Sequence, residues 1–166
     1  MQPILFILIG PKGSGKTYIG TLVQEKLNIP FFRVEDVWLK NKEKLAEEEY
    51  EKKGFELVEK EIDEKLSQTN TLVIESTGAS DYFDNFLNSL SLKYFVRLIK
   101  VSTPIELCMK RIATRDHSTH IPVSDDRIEK INEKALQVQL DFDMEIDNAN
   151  ATDEEIVNKV KTLFVE

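Results

Sequence analysis

Apolar positions change rhythm repeatedly along the chain, and each change marks an element. Ile4, Leu5, Phe6, Ile7, Leu8 and Ile9 form an unbroken apolar run of strand length. Continuous rather than alternating hydrophobicity predicts a strand covered on both faces, as inside a parallel sheet. After a glycine-rich turn the period becomes helical, with Ile19, Leu22, Val23 and Leu27 on one face of residues 16–27. Strand-like segments recur at 30–33, 71–75 and 94–101, with a shorter one near 144–146, and helical patterns separate them. From Lys40 to Lys65, Lys and Glu surround a sparser apolar set of Leu45, Tyr50, Phe55, Leu57, Val58, Ile62 and Leu66, which predicts a helical pair with a solvated face. Ser80 stands where it would cap a helix through Phe83 and Phe86. Thr152 and Glu155 have the spacing of a capping box, opening a last helix that carries Ile156, Val157, Val160, Leu163 and Phe164. Strands alternating with helices predict an α/β fold built on a mainly parallel sheet.

Length and composition set bounds on that picture. At 166 residues the chain is expected to form one domain, residues 1–166, with a single real core and no Pro/Gly/Ser-rich linker. Lys and Arg total 22 against 30 for Asp and Glu, a net charge of −8 that repels phosphate backbones and argues against nucleic-acid binding as the main task. Cys108 is the single cysteine, so no intrachain disulfide forms. The opening apolar run is too short to span a bilayer. Together these features predict a cytoplasmic, membrane-independent domain, working as a monomer or weak homodimer.

The sharpest chemistry lies in Gly10-Pro11-Lys12-Gly13-Ser14-Gly15-Lys16-Thr17, which fits G-x-x-x-x-G-K-[ST] in full. Glycines let the backbone curl so that successive N–H groups face a phosphate chain, and the following helix adds its N-terminal partial charge. Lys16 then reaches the β/γ-phosphates and Thr17 offers a hydroxyl to Mg²⁺. The motif follows a buried strand and precedes an amphipathic helix, the setting this phosphate-binding loop (P-loop) requires. Tyr18, next in line, joins the nucleotide-contacting set. Lys12 reads equally as a phosphate contact or as a solvated loop lysine.

No guanine-reading N-K-x-D motif appears, and the chain is too short for the insertions of a motor. On the P-loop and three further stretches it resembles the small-molecule kinases of the shikimate kinase group, akin to gluconate and nucleoside monophosphate kinases. Phe31-Phe32-Arg33-Val34-Glu35-Asp36-Val37 resembles that group's second strand, which ends in an acidic residue facing substrate and metal; Asp36 is the matching position. Residues 101–111 resemble the fourth strand and following helix, with Arg111 near the arginine that packs on adenine. Residues 115–122 resemble a short lid, within 112–125, whose Arg115 would stabilise the transferring phosphoryl group. Residues 147–155 resemble the terminal strand-to-helix turn. The resemblance implies a three-layer P-loop fold, a five-stranded parallel sheet in order 2-3-1-4-5, ATP as donor and Mg²⁺ as cofactor. It departs at the acceptor: the Phe-Arg pair that grips a carboxylate is Phe55-Glu56, a triple glycine is Thr77-Gly78-Ala79, and a C-terminal arginine aligns with Lys134. Glu56 would repel a carboxylate. The implied reaction is therefore γ-phosphoryl transfer to a hydroxyl of a small molecule, with an acceptor other than shikimate.

Other residues carry two readings. Asp36 would aim or deprotonate the acceptor hydroxyl and help hold the metal, or it would cap the helix holding Val37, Trp38 and Leu39; Glu35 competes for the catalytic role. Glu75, at the end of the third strand, would contact the acceptor or a metal-bound water, as would Thr77 and Gly78 in the turn beyond; its plainer role is an ion pair. Arg111 and Arg115 share a helix face, suited to phosphate contact or to offsetting the helix dipole. His117 and His120 lack further ligands for a metal and read as lid residues, His120 standing in for a phosphate-contacting arginine. Trp38, Tyr50 and Phe55 would wall an acceptor pocket or, more plainly, fill the core, and they are not claimed as ligands; Trp38 is the one hint of a nucleoside or nucleotide kinase. A nucleoside or nucleotide kinase and a non-catalytic ATP-binding regulatory domain remain open beside the main reading.

Overall fold

The computed structural model describes residues 2–41 and 49–164. Five strands, β1 (Ile4–Ile9), β2 (Phe31–Phe32), β3 (Thr71–Ser76), β4 (Phe95–Ser102) and β5 (Met144–Asp147), form one parallel sheet in the order β2-β3-β1-β4-β5. Helices α1 (Lys16–Leu27), α2 (Glu35–Asn41), α3 (Tyr50–Leu66), α4 (Phe83–Lys93), α5 (Ile105–Thr114), α6 (Asp125–Leu136) and α7 (Asp153–Thr162) flank it. The strand order is the 2-3-1-4-5 that the resemblance implied. Leu45, within the expected helical pair, lies outside the described residues, and α3 is the second member of that pair. No helix among the described residues is long and apolar enough to cross a membrane.

β1 shows why its apolar run does not alternate. Leu5, Ile7 and Ile9 pack toward the cluster holding Val58, Ile62 and Leu90 of α3 and α4. Phe6 and Leu8 point the other way, into the cluster with Ile19, Ile156 and Val160 of α1 and α7. All five are at most 1% exposed, and burying each contributes about 1.5–3 kcal/mol. Both pleat faces need apolar side chains, so the two-residue period vanishes.

The helix ends follow local chemistry, with two shifts. Thr152 Oγ1 accepts from Glu155 N at 3.2 Å and Glu155 Oε2 accepts from Thr152 N at 2.7 Å, so the expected capping box opens α7. Ser80 does not cap α4. Its Oγ accepts from Tyr82 N at 3.2 Å and it forms the turn before the helix, which starts at Phe83. Asp36 does not cap α2 either. Asp36 N and Val37 N already donate to the carbonyls of Arg33 and Val34 at 3.1 and 3.0 Å, so the helix is wound one residue earlier than the sequence suggests.

Candidate active site

Strand register assembles the site. β1 and β3 pair with Leu8 opposite Glu75 and Ile9 opposite Ser76, so the carboxylate near the end of β3 arrives beside the loop leaving β1. That loop turns left-handed at Gly13 (φ 82) and Gly15 (φ 93). A Cβ at Gly15 would sit 1.9 Å from Asn148 Nδ2, so only glycine fits. The loop runs straight into α1, whose N-terminal partial charge meets the same cavity.

Lys16 is 8% exposed, and its Nζ donates to the Gly10 and Pro11 carbonyls at 2.8 and 2.7 Å. Burial lowers its pKa to about 8, with the Glu75 charge pulling the other way. Glu75, 7% exposed, accepts from the Thr17 hydroxyl at 2.8 Å. Burial pushes its carboxyl above the ordinary range despite Lys16 and Thr17. Burial likewise holds Lys12 and Arg115 below their usual values. The Arg115 Nε is buried with no hydrogen-bond partner in the protein, while the residue lines the cavity.

Side chains distant in sequence brace the loop from outside. Asn132 of α6, 1% exposed, accepts from Lys12 N at 2.7 Å and donates to Lys12 O at 3.1 Å, pairing with the loop as a neighbouring strand would. The Ser14 carbonyl accepts from Asn148 Nδ2 at 2.8 Å, Thr103 Oγ1 at 3.0 Å and Arg111 Nη1 at 3.4 Å. Arg111 Nη2 also donates to Asn148 O at 3.1 Å. Sequence reasoning missed Asn132 and Asn148. Asn132 does leave a trace, since it interrupts the apolar stripe of Ile128 and Ala135 on α6.

A cavity of about 340 Å³ opens in front of the loop. Lys12, Gly13, Gly15, Lys16, Thr17 and Arg111 line its phosphate end; Glu75, Ser76 and Thr77 lie along the strand edge. Val34, Glu35, Trp38, Phe55, Val58 and Phe86 line the opposite end, and Arg115, His120 and Ile121 come from the lid. Glu35 is the carboxylate at that opposite end. It accepts from Ile121 N at 2.8 Å, lies 3.1 Å from His120 Nδ1, and pairs with Arg33 at 3.2 Å. Burial alone would raise its pKa, but the Ile121 N–H, Lys12 and His120 more than offset it and the carboxyl falls below the ordinary range.

Several expected residues stand elsewhere. Asp36 lies outside the cavity lining, its side chain 46% exposed and 3.5 Å from Arg33 Nη1. The oxygen donor beside Thr17 is Glu75, not Asp36. Tyr18 is 52% exposed on α1 and hydrogen-bonds Asp153 instead of lining the cavity. Gly78 (φ 70) turns the chain behind Thr77 and packs against Ile9 and Val138. His120 faces Glu35 rather than the phosphate loop. Trp38 and Phe55 pack against the core, as read from sequence, and also line the cavity, whereas half-buried Tyr50 does not line it. Glu56 is exposed and off the lining, so it cannot supply the repulsion expected of it. At 100° per residue it points away from the face where Gly54 and Val58 are buried. Lys134 sits on the surface 3.7 Å from Asp81.

Comparison with known proteins agrees with this architecture. The profile of the shikimate kinase family matches residues 12–164. The chain is 30% identical to the shikimate kinase of Enterococcus faecalis over 162 residues, covering 93% of this chain and 94% of that one. It is 27% identical to the shikimate kinase of Persephonella marina over 156 residues, covering 92% and 94%. In fold it is similar to the crystal structure of a sugar kinase from Janibacter sp., with TM-score 0.72 at 13% identity over 98% of this chain and 95% of that one. The chain belongs to the shikimate kinase family. It is an ATP-dependent small-molecule kinase, a phosphotransferase with an alcohol acceptor.

Proposed function

We propose that this kinase moves the ATP γ-phosphoryl group to the hydroxyl of a small molecule other than shikimate. The carrying observation is a single cavity that brings Lys12 and Lys16 of the P-loop, Arg111 and Arg115 together with the Glu35 carboxylate, whose charge Lys12 supports. Lys16 and the loop hold the β- and γ-phosphates; Arg111 fixes the loop and lies along the nucleotide; Arg115 closes over the transferring group. Glu35 takes the role read from sequence for Asp36, accepting the acceptor's proton as its oxygen bonds phosphorus and ADP departs. Most of the rate comes from positioning and charge stabilisation.

The Thr17 hydroxyl and the Glu75 carboxylate, 2.8 Å apart, are hard oxygen donors of the kind Mg²⁺ takes beside a phosphate chain. Mg²⁺ held there would neutralise charge on the β- and γ-oxygens. Thr77, just past β3 in the cavity lining, would contact the acceptor.

ADP release in Mg²⁺-ATP, measured across hydroxylated acceptors with shikimate included and Lys16→Ala as control, tests this reading. Stimulation by a compound other than shikimate, lost in the control, is the expected result. Stimulation by shikimate alone would refute the acceptor claim. Tight ATP binding with no stimulated turnover would favour a nucleotide-sensing domain instead.

A further inference from the structure

The acceptor end of the cavity is built around a flat indole. Trp38 of α2 lies directly on Gly54 of α3: a Cβ there would meet Trp38 Cζ2 at 2.6 Å and Cε2 at 2.7 Å. Glycine inside a helix is unfavourable relative to alanine, and here its missing side chain is what lets the indole rest on the helix backbone. Phe55 then meets Trp38 edge-on, with centroids 5.3 Å apart at 83°, and Phe86 of α4 backs Phe55 at 4.9 Å. This is a fixed aromatic wall rather than a loose patch, and all three rings line the cavity.

Charge is distributed just as unevenly. The cavity's cations are Lys12 and Lys16 of the P-loop, Arg111 of α5 and Arg115, which lies just past the end of α5 in extended backbone and so off the helix face expected for it; among the described residues α2, α3 and α4 contribute none. The charged group at the aromatic end is Glu35, with Arg33 already held by Glu35, Asp36 and the Thr119 carbonyl. Lys12 and Arg115 act on Glu35, but a charge carried on the part of the acceptor that lies against the rings would meet no cation from these helices.

Resting on the kinase reading above, we infer that the acceptor is an uncharged alcohol bearing a flat unsaturated ring, nucleoside-like in chemistry, whose ring stacks on the Trp38–Phe55 wall while its hydroxyl reaches Glu35. Ring stacking suits the quadrupole of the aromatic faces, and the hydroxyl suits an ionised carboxylate.

Trp38 is the single tryptophan of the chain, so its emission reports on this wall directly. The test titrates the protein with adenosine, thymidine, pyridoxine, shikimate, gluconate and xylitol, following Trp38 emission and, with Mg²⁺-ATP, ADP release. A ring alcohol should change the emission and stimulate ADP release. Trp38→Leu should raise the KM for that alcohol about tenfold or more relative to the KM for ATP, with recovery in Trp38→Phe. If shikimate, gluconate or xylitol stimulates ADP release and no ring alcohol does, the acceptor class is wrong while the kinase stands. If ring alcohols change the emission without ADP release, the class stands and the kinase reading falls. If no ring alcohol does either, the inference is overturned.

Discussion

At the phosphate end of the cavity, contacts run to the backbone. Lys16 binds the Gly10 and Pro11 carbonyls, Asn132 pairs with both groups of the Lys12 backbone, and three side chains converge on the Ser14 carbonyl. At the acceptor end, contacts run mainly between side chains: Trp38 on Phe55, Phe55 on Phe86, and His120 on Glu35, with the Ile121 N–H a backbone donor to Glu35. A surface made of backbone recognises what every nucleoside triphosphate shares. In the proposed reading, rings and one carboxylate from three helices select the acceptor. Substitution hardly alters a backbone, whereas a few changed side chains would remake the second end.

The separation breaks most visibly at Lys16. Lys16→Ala should lower kcat by about 10²–10³-fold, through lost stabilisation of the transferring phosphoryl charge. Acceptor binding, read by Trp38 emission, should persist. Loss of both signals in a folded variant would show that the ends are not independent. Glu35→Gln keeps size and hydrogen bonding but removes the base, and should lower kcat by about 10²-fold or more with the KM for ATP nearly unchanged. A variant that loses ATP affinity instead would move Glu35 to the phosphate end.

Asn132 tests how far the backbone end depends on its bracing. Asn132→Leu matches the volume but orphans the Lys12 N–H and C=O, at about 1–3 kcal/mol for each group left unpaired. A melting point lower by on the order of 10 °C should accompany a raised KM for ATP. Asn132→Asp keeps the acceptor for the Lys12 N–H and loses the donor, so it should fall between. Gly54→Ala is the matching probe at the acceptor end. The new methyl, 2.6 Å from the indole, displaces Trp38. Helix propensity gains about 1 kcal/mol and overpacking costs about 1–3 kcal/mol, so the melting point should move little. The KM for the acceptor should rise severalfold with that for ATP unchanged, and an unchanged acceptor KM would remove the indole from the site.

The same contrast governs what the sequence makes legible. The strand before the P-loop, the loop itself and α1, whose bounds match the expected 16–27, depend on neighbours within a few residues, so local pattern finds them. The sheet order came from family resemblance rather than periodicity. The acceptor end depends on tertiary packing. One residue of helix register separates Asp36 from Glu35, and at 100° per residue that decides which carboxylate enters the cavity: side-chain exposure is 46% for Asp36 and 16% for Glu35. Trp38 and Phe55 read as core because a ring that lines a pocket and a ring that fills a core share the same helical spacing. Asn132 and Lys12 are 120 positions apart, so no local window joins them.

The finest test lies where lid and acceptor end meet. Glu35 must be ionised to accept a proton, and its carboxyl sits below the ordinary value of 4.5. Burial works against that state; the Ile121 N–H at 2.8 Å, the Lys12 charge and the His120 contact at 3.1 Å outweigh it. Burial holds the His120 imidazole below 6.5, opposed by Glu35 and reinforced by Arg115 and Arg33, so it is neutral at pH 7 and donates from Nδ1. A depressed folded pKa gives stability that is present above the unfolded value and lost as pH falls through the folded one. The acid limb of kcat/KM should therefore lie below the usual glutamate range in the native protein. His120→Phe removes one donor while Ile121 N–H, Lys12, Arg33 and Arg115 remain, so the limb should move to higher pH with little change at pH 8. A limb that stays in place would mean that the lid backbone and the cations alone set the Glu35 charge, leaving the imidazole only to fill space.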